Sequence, residues 1–220
     1  MTEQQDFWKN KEWDQLKSNK KWETEAKMST INLLKEFLSD VPRDIDVLDC
    51  GCNEGYTVGL LHELGFASIS GIDVNSKAIK KASKMFPYDS FAITSIEELG
   101  GFSLLQQCPY DLTLHCSVLM HVHPDNLGDT MKAIYNLSGK YIFGKELSTL
   151  EPTNIGDKVG WKNQFWTRRF CNLWLELFPD LQIVKKRILP MISENNLETE
   201  VFLLDKTNHN RETKERRRSI

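Results

Sequence analysis

Residues 46–59, Asp-Val-Leu-Asp-Cys-Gly-Cys-Asn-Glu-Gly-Tyr-Thr-Val-Gly, constrain the fold of this chain more than any other stretch. A short apolar run, the pattern of a buried strand, passes through a glycine turn directly into a helical pattern. Gly51, Gly55 and Gly59 fall four residues apart. A dinucleotide pyrophosphate is usually held by G-x-G-x-x-G and a triphosphate by G-x4-G-K-S/T, and neither pattern fits. The turn has the form of a nucleotide-binding loop but carries no lysine to meet a phosphate.

The rest of the chain repeats the alternation. Before the turn, helical spacing runs from Glu25 to Leu38, with Pro42 marking the break, and a strand is expected over Ile45–Leu48. After it come a helix from Val58 to Leu64 ended by Gly65, a strand over Ala67–Ile72, a helix over Ser76–Phe86 and a strand over Ser90–Ile93. Helices over Ile96–Gln106 and Asp125–Leu137 then frame a strand over Asp111–Cys116, and Tyr141–Lys145 makes a fifth strand. A loop with Pro152, Gly156 and Gly160, a helix over Phe165–Phe178, and two closing strands, Leu181–Ile188 and Glu200–Leu204, complete the pattern. Alternating strands and helices predict a Rossmann-like, doubly wound, mostly parallel α/β sheet of seven strands, with the consecutive closing strands giving an antiparallel strand at one edge. In such sheets ligands sit beyond the carboxyl ends of the strands, so the candidate site residues follow each strand.

The strand, Asp49 and the G-x-x-x-G of Gly51 and Gly55 resemble the first motif of the class I S-adenosylmethionine-dependent methyltransferases. The resemblance implies S-adenosylmethionine as cofactor. It places Asp49, Gly51, Cys52, Asn53 and Gly55 around it in the turn, and Asp73 and Val74 after the second strand. Ser95 and Ile96 follow the third strand, and His115 and Cys116 end the fourth. The Asp73 carboxylate can accept hydrogen bonds from both ribose hydroxyls of an adenosine. An aspartate there can equally cap the next helix, although Asn75 already fills that role. The acidic residue usual at the adenine position is missing from Thr94-Ser95-Ile96. Glycine spacing and the two consecutive closing strands disfavour the rival reading, an NAD-dependent oxidoreductase.

The segment from Val118 to Leu127, with Phe7-Trp8-Lys9 and the run from Phe165 to Leu181, resembles small-molecule methyltransferases associated with pseudaminic acid biosynthesis. That resemblance implies methyl transfer to an oxygen, or a nitrogen, of a small acceptor such as a sugar or nucleotide-linked sugar. His121 and His123 are the candidate bases for a hydroxyl acceptor, because an imidazole titrates near about 6.5. Either can instead be structural. No acidic cluster accompanies His-x-His, so no metal is expected. Glu146, Trp161 and Arg168 are candidate acceptor contacts, since arginine suits planar anions. A solvated helix start is the plain alternative for Arg168.

The 220 residues suit one domain, organised as an N-terminal lid or extension (1–24), a methyltransferase domain (25–206) and a basic tail (207–220). Trp8, Trp13 and Trp22 argue that the polar lead segment folds back on the domain. Five scattered cysteines read as reduced, buried thiols, and the acidic, polar start suggests a cytoplasmic protein. A net charge of −3 disfavours nucleic acid, with the arginines between Arg211 and Arg218 as the exception. An RNA-contacting methyltransferase and a non-catalytic nucleoside-binding module of the same fold are therefore the alternatives. No apolar run has the length of a membrane span.

Overall fold

The computed structural model describes residues 3–11, 20–101, 109–156, 164–190 and 197–206. Two helices, α1 (Glu3–Asn10) and α2 (Lys20–Phe37), precede the first strand. Then come β1 (Asp46–Cys50), α3 (Tyr56–Glu63), β2 (Ser68–Asp73), α4 (Ser76–Met85), β3 (Ser90–Ile93) and α5 (Ile96–Gly100). The second half contains β4 (Tyr110–Cys116), a 3-10 turn at Leu119–His121, α6 (Pro124–Leu137), β5 (Ser138–Ser148), β6 (Thr153–Asn154) and β7 (Trp166–Thr167). It closes with α7 (Phe170–Leu177), β8 (Leu181–Pro190) and β9 (Glu198–Lys206).

Seven strands form one sheet in the order β3-β2-β1-β4-β5-β9-β8. All pairs from β3 to β5 are parallel, and β9 runs antiparallel between β5 and β8. The expected closing pair is present, with the antiparallel strand one place in from the edge strand β8. The interior strands are apolar on both faces because both faces are covered. Val47, Leu112, Leu114, Phe143 and Val201 pack under α2 and α3, meeting Ile31, Leu34, Phe37, Val58 and Leu61. Leu48, Ile142, Phe202 and Leu204 pack on the other face, against Met131 and Ile134 of α6 and Trp174 of α7.

Two expectations need correction, and a third runs beyond the described residues. The helix that spacing placed from Glu25 begins at Lys20. The helix expected from Phe165 begins only at Phe170, because Trp166 and Thr167 pair instead with Asn154 and Thr153. Buried Thr167 holds that extended conformation through a 2.9 Å hydrogen bond between its Oγ1 and that of Thr149. The helix expected over Ile96–Gln106 is described as far as Gly100, and the remainder lies outside the described residues.

Gly144 shows how tightly the acceptor half of the sheet packs. A Cβ there would overlap the Phe202 ring and approach His115 Cε1 to 2.8 Å. Gly144→Ala is expected to destabilise the protein by about 1–3 kcal/mol through overpacking, read as a lower urea midpoint at unchanged slope. An unchanged midpoint would contradict this packing.

Candidate active site

The carboxyl ends of β1 and β2 meet in the glycine turn. Gly51 N and Cys52 N both donate to the Ile72 carbonyl at 2.8 and 2.9 Å, and Gly55 N donates to Cys52 O at 2.9 Å. Gly51 and Gly55 adopt φ of 75° and 85°, in the left-handed region that favours glycine. The space beside them is filled by protein. A Cβ on Gly51 would lie 2.7 Å from Val118 Cγ2, and one on Gly55 would lie 2.9 Å from the Phe86 ring. The glycines thus answer to backbone conformation and to packing across the turn.

Asp49 is 1% exposed, and its Oδ2 has no hydrogen-bond partner. Burial, reinforced by the charge of Asp73, pushes its carboxyl up to about 8. Asn53, at φ 49°, likewise buries an Oδ1 without a partner. Asp73 is differently placed: its oxygens accept from Asn53 N at 3.0 Å and Asn75 N at 2.8 Å. Burial raises its carboxyl, and those backbone N–H groups, with that of Val74, hold it back. Each Asp73 oxygen keeps a further lone pair for a ligand. Two buried acceptors without hydrogen-bond partners, Asp49 Oδ2 and Asn53 Oδ1, thus lie with the Asp73 carboxylate at the strand ends.

The other expected cofactor residues divide. Ser95 is committed to a capping box on α5, its hydroxyl accepting from Glu98 N while Glu98 accepts from Ser95 N. Its side chain is therefore already engaged, while buried Ile96 begins the helix behind it. The Cys52 thiol packs towards Gly71, where a Cβ would approach its Sγ to 2.8 Å, and burial drives that thiol far up. Cys116 is pushed up to about 12, also by burial. His115 is fully buried, stacked on Trp174 at 6.0 Å between centroids, and its Nε2, like Asp49 Oδ2, has no hydrogen-bond partner.

On the acceptor side the structure parts the two candidate bases. His121 Nδ1 lies 2.8 Å from the Gln164 carbonyl, which can only accept, so Nδ1 carries the proton and the lone pair is on Nε2. Burial holds this imidazole below its ordinary range, partly offset by that bond and by the charge of Glu146. Trp8 of α1 lies over the ring at 4.4 Å, and Phe165 meets it edge-on at 5.0 Å. His123 instead caps α6, its Nδ1 accepting from Asp125 N at 3.3 Å. Glu146 is fully buried and turned inward, which corrects its reading as an acceptor contact. Arg168 follows β7, makes no ion pair with the described residues, and buries an Nε without a partner. Burial lowers its guanidinium. Trp161, Trp13, Cys108 and the basic tail lie outside the described residues. Gln164 went unseen in the sequence because it acts through its backbone carbonyl, which has no residue-specific signal.

Helix α1 is tied across this edge. Asn75, the N-cap of α4, also donates from Nδ2 to the carbonyls of Trp8 and Lys11 at 3.1 and 2.8 Å. One residue thereby links the Asp73 loop to the segment covering His121.

Strand order and strand-end carboxylates define a Rossmann-like nucleoside-cofactor domain with the class I methyltransferase topology. Residues 47–139, less than half of the chain, match the family model described as a methyltransferase domain. A ribosomal protein L11 methyltransferase from Porphyromonas gingivalis is 29% identical over 110 residues, covering 47% of this chain and 34% of the relative, so the match spans about a third of that protein. Among solved structures, 1,6-didemethyltoxoflavin-N1-methyltransferase from Burkholderia thailandensis, crystallised with 1,6-didemethyltoxoflavin and S-adenosylhomocysteine, is similar. It aligns with a TM-score of 0.62 and 20% identity over 85% of this chain and 81% of its own. The 4+2 cyclase SpnF aligns with a TM-score of 0.66 and 12% identity over 84% and 83%. These likenesses are of fold. No helix among the described residues is long and apolar enough to cross a membrane.

Because the folded protein keeps a proton on Asp49 up to about pH 8, whereas an unfolded aspartate releases it near pH 4, this group makes stability fall as pH rises between those values. Asp49→Asn removes that dependence. Its melting temperature is expected to gain on that of the wild type as pH rises from about 6 to about 9. A constant difference across that range would contradict the assignment.

Proposed function

We propose that the protein moves a methyl group from S-adenosylmethionine to an oxygen of a small molecule, with a sugar or nucleotide-linked sugar as the acceptor class. The observation that carries this reading is His121: a neutral imidazole whose Nδ1 proton is committed to a carbonyl, with its basic nitrogen at the carboxyl edge of β4. A hydroxyl acceptor needs such a base, whereas an amine acceptor already carries a lone pair. That the toxoflavin methyltransferase of the same fold is crystallised with a small acceptor supports the same class. The sugar rests on the resemblance of Val118–Leu127 and the segments around Trp8 and Phe165.

Asp73 accepts the ribose hydroxyls, and Asp49 Oδ2 and Asn53 Oδ1 accept from the methionine ammonium. When bound, S-adenosylmethionine supplies a methyl group on a positively charged sulfur. The protein's remaining task is chiefly alignment. His121 Nε2 takes the acceptor proton as the oxygen–methyl bond forms and the sulfur–methyl bond breaks, leaving a thioether and an imidazolium. Trp8 and Phe165 keep the ring in an apolar setting that holds it neutral beforehand. Arg168, a half-buried cation that makes no ion pair with the described residues, favours an acceptor carrying a carboxylate or phosphate. The N-terminal segment through α1 acts as the lid of this site.

Calorimetric titration with S-adenosylhomocysteine is expected to show binding by wild type and at least about tenfold weaker binding by Asp73→Ala, because hydrogen bonds to a charged acceptor are lost. In a small-molecule extract given cofactor labelled on its methyl group, His121→Gln is expected to cut label transfer by about 100-fold or more. Absence of binding by wild type, or label confined to macromolecules, would overturn the reading.

A further inference from the structure

Strand β5 extends past β4: the last paired positions are Cys116 and Lys145, so Glu146 stands level with the turn that leads to His121. That turn is strained. Ser117 has a φ of 60° although it is not glycine, a conformation that persists only where its surroundings impose it. Ser117 N donates to Lys145 O at 2.8 Å. Glu146 Oε1 then accepts from Val118 N at 3.0 Å and Leu119 N at 3.1 Å, and Oε2 accepts from Met120 N at 3.3 Å. His115 Nδ1 lies 2.8 Å from the same Oε1. The carboxylate thus does for a single helical turn what a capping side chain does for a helix, but from a neighbouring strand.

We propose that Glu146 is the positioning residue of the acceptor site, setting the place and basicity of His121 by holding the backbone of residues 118–120. The inference rests on the reading of His121 as the base. Its strongest support is an arrangement that packing alone disfavours. Glu146 stands directly opposite Glu200 on β9, both are fully buried, and like charges opposite each other in a sheet are destabilising. Each carboxylate is engaged by the backbone of an acceptor-side element. Glu200 Oε2 accepts from Cys171 N at the start of α7, just after Arg168 and Arg169, and Oε1 pairs with Lys186 Nζ at 3.1 Å. Two apolar residues would fill the same space without the repulsion. What they would not supply is acceptors for the N–H groups of the turn and of α7. Glu146 also acts through space: its charge raises the basicity of His121.

The test is a pH titration of the full chain labelled with nitrogen-15, following the His121 imidazole and the amides of residues 118–120 in wild type, Glu146→Gln and Glu146→Asp. Glutamine removes the charge and turns an amide N–H₂ towards backbone donors. Its expected signature is a lower His121 midpoint with displaced amide signals at Val118, Leu119 and Met120. Aspartate keeps the charge on a shorter arm, so it is expected to displace the amide signals and leave the midpoint nearer that of wild type. If Glu146→Gln does not fold, the aspartate variant decides alone, and unchanged amides at 118–120 overturn the proposal. So does an unchanged His121 midpoint in a folded Glu146→Gln protein. S-adenosylhomocysteine affinity is measured on the same samples. Loss of binding by wild type counts against methyl transfer, while the His121 titration still decides the role of Glu146.

Discussion

A carboxyl group buried where nothing satisfies one of its oxygens is the constraint on which the cofactor half of this protein depends. Asp49 lies next to the end of β1 inside the core, where burial and the charge of Asp73 both act on it. Leaving a charge there is costly, so the free protein keeps Asp49 protonated near neutral pH. A ligand bearing an ammonium and a sulfonium removes the conflict. The glycine turn makes the arrangement possible: its left-handed residues fold the chain back onto the Ile72 carbonyl and point Asn53 N at Asp73.

The other half is organised by carboxylates used in the opposite sense, each accepting from the backbone of a neighbouring element. Glu146 holds the turn before His121, Glu200 holds the start of α7, and Asn75 ties α1 above them. Burial thus serves two ends on one sheet. On β1 it leaves a carboxyl oxygen without a hydrogen-bond partner, and on β5 and β9 it fixes backbone that would otherwise relax. Fold alone does not decide the chemistry, since a cyclase shares it, and so the functional reading rests on the protonation of His121 and the orphaned acceptors.

Much of this was legible from residue order. The doubly wound, mostly parallel sheet follows from alternating apolar and helical patterns, and the antiparallel end from two strands with no helix between them. Asp49, Gly51, Gly55 and Asp73 lie together at the carboxyl ends of β1 and β2, as expected, because the spacing of the motif brings residues close in sequence to one turn. The acceptor side was read less well for a physical reason. Glu146 and His115 are polar residues on strands, and sequence pattern does not show whether such a side chain faces a ligand or a neighbouring backbone. His121 and His123 look alike in sequence, but the structure buries the first with its Nδ1 on a carbonyl and leaves the second at a helix N-terminus. The extended pair at β6 and β7 escaped because Phe165, Phe170, Leu173, Trp174 and Leu177 keep helical spacing, while long-range pairing with Thr153 and Asn154 overrides it at Trp166 and Thr167.

The central claim is that the methionine ammonium of S-adenosylmethionine is received by a carboxyl that the free protein holds protonated. Calorimetric titration of the cofactor at about pH 7, in buffers of differing ionisation enthalpy, measures the protons exchanged on binding. Wild type is expected to release up to about one proton per cofactor bound, and Asp49→Asn to release far less. Binding by wild type with a heat independent of the buffer would contradict it.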